Sequence, residues 1–141
     1  MRLFVQILAH REKIYFAPYV QNIKGHSSYY TPFERLSIES TPSDIGYAIL
    51  RSFDLANSID VQADAVHDVI ETQLQLKTWM SVVKKCLHAE VIRQNQLSNI
   101  EVARSYTKGG GILSEKMYEA TLDDPEDIGK KVLEALYYYK K

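Results

Sequence analysis

The chain has 141 residues, enough for one ordinary domain and short for two. Hydrophobic residues make up 45% and charged residues 25%, a globular mixture that excludes a disordered chain, a collagen-like repeat and a membrane bundle. The 17 basic and 18 acidic residues leave a net charge of −1, so the chain has no overall basic field with which to hold nucleic acid.

Cys86 is the only cysteine, which excludes a disulfide framework and a thiolate zinc site within one chain and fits a reducing compartment. Leu3 to Ala9 is apolar but short, is interrupted by Gln6, and runs directly into His10, Arg11, Glu12 and Lys13. That is not the pattern of an export signal. No stretch approaches the roughly 18 apolar residues of a membrane span. The expectation is one cytoplasmic domain over 1–141.

Residues 2–8 and 13–20 read as two strands, with Ala9–Glu12 as the hairpin loop between them. Pro18 cannot donate to a ladder, which predicts that the second strand lies at an edge or ends there. Gly25 marks a turn, and Ser28 to Ser37 reads as a third, irregular strand broken at Pro32. Thr41-Pro42-Ser43-Asp44 is a helix start: Thr41 caps, Pro42 suits the first helical position, and Asp44 stands where a capping-box acid would. Ile45, Ala48, Ile49, Phe53 and Ala56 then recur at helical spacing.

Asp60 to Thr72 is a second helical pattern, and Lys77 to Cys86 a separate short helix. Strands are expected over Leu87–Arg93 and Ile100–Tyr106, with one or two more between Ile112 and Leu122. Asp124-Pro125-Glu126-Asp127 caps a last helix, whose apolar face is Ile128, Val132, Leu136 and Tyr139.

The two capped helices align at a constant offset of 83 residues. Pro42, Asp44, Ile45, Gly46 and Leu50 match Pro125, Asp127, Ile128, Gly129 and Leu133. Both duplication and convergent capping would produce this match. A glycine inside a helix costs about 1 kcal/mol against alanine. Its use twice, one turn into each helix, predicts close backbone packing there, expected against a sheet. The architecture that follows is α+β: a mainly antiparallel sheet with flanking helices, in two similar strand-then-helix halves, the repeat spanning 28–57 and 112–141.

No catalytic signature stands out. His10, His26, His67 and His88 have no i,i+4 partner and no cysteine at metal-ligand spacing. Cys86 lies in an apolar context that favours packing over reactivity. Lys108-Gly109-Gly110-Gly111 lacks the Walker spacing and reads as a flexible hairpin. Asp123, Asp124, Glu126 and Asp127 sit where acids stabilise a helix N-terminus. The ten tyrosines, half of them in Tyr29-Tyr30 and Tyr137-Tyr138-Tyr139, suit either an interface or the rim of a core. No enzyme, cofactor or metal is expected.

Charge distribution says more than net charge. Residues 37–71 hold seven acids and one base, Arg51, whereas residues 72–116 hold seven bases and three acids. Asp60, Asp64 and Asp68 recur every four residues, with Glu71 one further helical step on. On a helix they form one negative stripe, which like-charge repulsion at i,i+4 slightly destabilises. A solvated face and a docking surface for a basic partner both fit.

The succession Tyr29-Tyr30-Thr31-Pro32-Phe33, then Ser40 to Leu50, then Leu76-Lys77-Thr78-Trp79, then Asp124-Pro125-Glu126-Asp127-Ile128-Gly129 with its helix covers most of the chain in order and spacing. It resembles the immunity proteins of bacterial contact-dependent growth inhibition systems. The resemblance implies a cytoplasmic antidote that binds and blocks the C-terminal toxin domain delivered by a neighbouring cell, and an α+β fold with an antiparallel sheet. Many such toxins are nucleases and need a basic surface for phosphate. The stripe Asp60, Asp64, Asp68 and Glu71 would then stand in for nucleic acid; that assignment comes from charge, not from the family. The alternative function is single-stranded nucleic-acid binding, with Lys77, Lys84, Lys85, Arg93, Arg104 and Lys108 as a basic groove and Tyr106 as a stacking base.

Overall fold

The computed structural model describes residues 2–21, 27–30, 33–59, 69–94, 98–106 and 112–137. Its strands are β1 (Arg2–His10), β2 (Lys13–Gln21), β3 (Ser27–Tyr29), β4 (Glu34–Ser37), β5 (Leu87–Gln94), β6 (Asn99–Tyr106) and β7 (Ile112–Thr121). Its helices are α1 (Pro42–Asn57), α2 (Val69–Leu74), α3 (Trp79–Lys85) and α4 (Pro125–Leu136). One antiparallel sheet runs β3-β2-β1-β5-β6-β7, and β4 continues the β3 edge alongside β2. The fold is the expected α+β one.

The strand order reads alike from both edges. β1 and β5 lie antiparallel at the centre, with Gln6 opposite Glu90 and Val5 opposite Val91. β2 and β6 flank them, and β4 and β7 lie beyond. Each half thus fills three sheet positions before its capped helix, the outer position of the first half being divided between β3 and β4, and α1 and α4 share one face of the sheet. β1 and β2 stand in the same order from the centre of the sheet as β5 and β6.

Side-chain alternation divides the core. Val5, Ile7, Ile14, Phe16, Ala89, Val91, Ile100 and Val102 point to the α1–α4 side and pack on Ile45, Ile49, Phe53, Ile128, Val132 and Leu136. Leu8 and Ala17 point the other way, where Phe33, just before β4, and Leu74, Val82 and Cys86, from the segment between α1 and β5, cover them. Burial on both faces explains why Leu3 to Ala9 is a nearly unbroken apolar run rather than an alternating one.

Capping follows the expected chemistry. Thr41 Oγ1 accepts from the Asp44 amide at 3.2 Å, and Asp124 Oδ1 accepts from the Asp127 amide at 3.1 Å. The loop between β1 and β2 is tighter than expected: only Arg11 and Glu12 lie outside the strands, at φ 50° and 65°. Both central residues are left-handed, as a two-residue primed hairpin requires.

Pro18 corrects an expectation. β2 neither ends at Pro18 nor lies at an edge; it runs on to Gln21 with β1 on one side and β3 and β4 on the other. The Pro18 carbonyl accepts from the Tyr30 amide at 3.0 Å, so its backbone polar groups point outward, away from β1. The missing N–H therefore faces the break between β3 and β4, where no ladder bond is required of it. The 112–122 region is one strand of ten residues, with register shifts against β6 at Val102/Ala103 and Arg104/Tyr106.

The paired glycines correct another. They pack closely, but on each other's helix rather than on the sheet. A Cβ on Gly46 would lie 2.5 Å from the carbonyl carbon of Pro125, and one on Gly129 would lie 2.5 Å from that of Pro42. Each helix thus sets its first-turn backbone into the notch left by the other's glycine.

Candidate functional site

Of the acidic stripe, Asp60, Asp64 and Asp68 lie outside the described residues. Glu71 falls in α2, whose Leu74 is buried against the sheet face opposite α1 and α4. Gly109 to Gly111, Tyr138 and Tyr139 also lie outside the described residues, as do His26 and His67.

The proposed basic groove is divided. Lys84 and Lys85 are exposed in the last turn of α3, which covers the second face of the sheet through Val82. Arg93 stands on β5 at the parity of Ala89 and Val91, towards the α1–α4 side. Lys108 is not among the described residues. Lys84 and Lys85 therefore do not share one groove with Arg93.

A polar centre that the sequence reading missed lies on the second face. Glu90 and Gln6 are paired across β5 and β1, and both are buried. Tyr19 donates its hydroxyl to Glu90 Oε1, and the Tyr29 hydroxyl lies 3.3 Å from Gln6 Oε1. Tyr19 stacks on Phe4 with centroids 4.7 Å apart, and the Arg2 guanidinium carbon sits 5.1 Å over the Phe4 ring. Burial pushes the Glu90 carboxyl above its ordinary range, while the Tyr19 hydrogen bond and the Arg2 charge pull against that shift. The group favours its proton and already has a phenolic partner. The partners that cover Glu90 come from β1 and β2, so its burial is not apparent from β5 alone.

Neither Cys86 nor His88 is set up as a nucleophile beside it. Burial pushes the Cys86 thiol up to about 11, far from the thiolate that reactivity needs. His88 Nε2 lies 3.3 Å from the Val82 carbonyl oxygen, a packing contact beneath α3. Among the described residues, no three His, Cys, Asp or Glu side chains converge where they could hold a metal ion. No described helix is long and apolar enough to cross a membrane.

The solvent side of the helix layer offers a different surface. Asp44, Tyr47, Arg51, Asp54 and Asn57 are the exposed positions along α1 at three- and four-residue spacing. Tyr47 is 52% exposed. Arg51 reaches β4, where its Nη2 meets Glu34 Oε1 at 2.5 Å and its Nε meets Oε2 at 3.2 Å. On α4 the corresponding side carries Glu126, Lys130 and Glu134, with Lys130 and Glu126 paired at 3.3 Å.

The fold is similar to that of solved structures. A Neisseria meningitidis protein of unknown function, NMB0488, superposes with a TM-score of 0.70 over 98% of this chain and 95% of its own, at 14% identity. A chain of a CdiA-CT/CdiI toxin and immunity complex from Yersinia pseudotuberculosis superposes with a TM-score of 0.64 over 96% of both chains, at 12% identity. At these identities the likeness is one of fold. No family model matches the sequence, and no curated protein does.

Proposed function

We propose that the protein is an immunity protein. It binds the toxin domain of a cognate contact-dependent growth inhibition system, a nuclease in our reading, and occludes the active or substrate-binding surface. The observation that carries this reading is the fold shared, over 96% of both chains, with a chain of a toxin and immunity complex. The order of sequence motifs supports it independently.

The protein acts by occupancy rather than catalysis, in the cytoplasm where a delivered toxin would reach its target. Glu90 is already hydrogen-bonded and Cys86 is buried with its thiol protonated, so neither is poised for chemistry. The acids concentrated over residues 37–71 suit a partner built to grip phosphate. Opposed charge accelerates encounter and sets its salt dependence, while packing at the centre of the interface sets lifetime. The stripe Asp60, Asp64, Asp68 and Glu71 is the proposed element that replaces nucleic acid.

Co-expression with the toxin domain encoded upstream tests the reading. Growth should be rescued and the two chains should co-elute. A toxic domain that kills equally with and without this protein contradicts the proposal for that pair. Asp60, Asp64 and Asp68 changed together to Asn should weaken protection; unchanged protection removes the stripe but not the function.

A further inference from the structure

The approximate two-fold relation between the halves supplies an internal control for reading the surface. α1 and α4 occupy matching places, share caps and glycines, and bury matching apolar faces. Their solvent sides would be expected to look alike if both did nothing but meet water. They do not.

The α4 side is an ordinary solvated face. Glu126 and Lys130 form an i,i+4 pair with side chains 61% and 60% exposed, and Lys131 is tied to Asp127 at 2.7 Å and to the Glu119 carbonyl at 2.8 Å. At the position of Lys130, α1 carries Tyr47, and at the position of Glu134 it carries Arg51. Tyrosine and arginine are the residue types most enriched among interface anchors, because they combine large rigid contact area with polar reach. Arg51 is held in place by Glu34, which spares part of the ordering cost on binding. Ile38, in the turn entering α1, is another exposed apolar side chain.

Charge selects the partner. Arg51 is the only base between residues 37 and 71, and Glu34 already neutralises it. The acids left on the solvent side of α1 are Asp44 and Asp54, on either side of Tyr47, and α1 ends three residues before Asp60.

We infer that this face of α1, anchored by Tyr47 and flanked by Asp44 and Asp54, is a docking surface for a basic protein surface, and that this surface belongs to the toxin. The inference rests on the immunity reading and extends it to named positions outside the acidic stripe. Tyr47 inserts against the partner, and Asp44 and Asp54 meet its cations.

The test is the affinity of the purified protein for the toxin domain by titration calorimetry. Tyr47→Ala should weaken binding by about tenfold or more, the scale of an interface anchor. Lys130→Ala, the matching exposed position on α4, should leave affinity within about twofold. Asp44→Asn with Asp54→Asn should slow association and flatten its salt dependence. Tyr47 is exposed, so its variant should unfold at the same denaturant concentration as the parent, which separates lost contact from lost fold. Tight binding by the parent and equally tight binding by Tyr47→Ala overturns this surface and leaves the immunity reading standing. No binding by the parent overturns both.

Discussion

The helix crossing makes a quantitative demand. Gly46→Ala places a Cβ 2.5 Å from the Pro125 carbonyl carbon and 2.7 Å from its Cα, with the carbonyl oxygen closer still. Carbon atoms rest at about 3.5–4.0 Å, so α1 and α4 must part by about 1 Å or more. The obstacle is backbone, which cannot rotate away as a side chain tip can. Overpacking of this kind costs typically about 1–3 kcal/mol, and a backbone clash belongs at the upper end. Removing glycine from a helix interior returns about 1 kcal/mol. The expected net loss is therefore about 2 kcal/mol. Gly129→Ala should behave alike, since its Cβ would meet Pro42 at the same distances. The double variant should lose less than the sum, because one separation of the helices relieves both clashes. Urea unfolding of the four proteins measures this. An alanine that stabilises the protein by about 1 kcal/mol, as at an unhindered helical site, would refute the crossing.

Two further expectations concern buried polar groups. Ser52 is fully buried in α1 and its hydroxyl has no hydrogen-bond partner among the described residues, whereas the matching residue in α4 is Ala135. An unsatisfied buried hydroxyl costs about 1–3 kcal/mol, so Ser52→Ala should be neutral or stabilising by about 1 kcal/mol in denaturant unfolding; a loss of that size would show that the hydroxyl is bonded. Glu90 holds its proton more tightly when folded than when unfolded. The folded state then binds more protons between the two titrations, so the group's contribution to stability falls as pH rises through that window and stays low above it. Glu90→Gln removes this loss, and its advantage over the parent should grow from acidic to neutral pH. An advantage independent of pH would mean that Glu90 does not titrate abnormally.

Much of the fold was legible because it is local. A cap is a side chain meeting a backbone amide three residues on, so Thr41 and Asp124 declare their helices within four letters. Hydrophobic period gave the strands for the same reason. The misreadings involve distant partners. Pro18 sits inside the sheet because the third strand breaks opposite it, and that break belongs to residues more than ten positions away. Gly46 and Gly129 declared a close approach, but not that each was the other's reason. The burial of Glu90 depends on a distant partner: Tyr19 sits 71 residues away. The α1 surface was hidden differently. Tyr47 is one of ten tyrosines in the sequence and becomes informative only when α4 shows what the same place looks like as a solvated face. The acidic stripe was legible as charge, and its placement lies outside the described residues except for the backbone of Glu71.

The central claim is neutralisation by stoichiometric binding, and inhibition of the purified toxin domain measures it directly. The toxin domain's activity, that of a nuclease under the proposed function, should fall linearly as this protein is added and reach zero at one molecule per toxin, with no turnover of the toxin or of nucleic acid by this protein alone. Full nuclease activity at a large molar excess, under conditions where the protein is folded, would contradict the account.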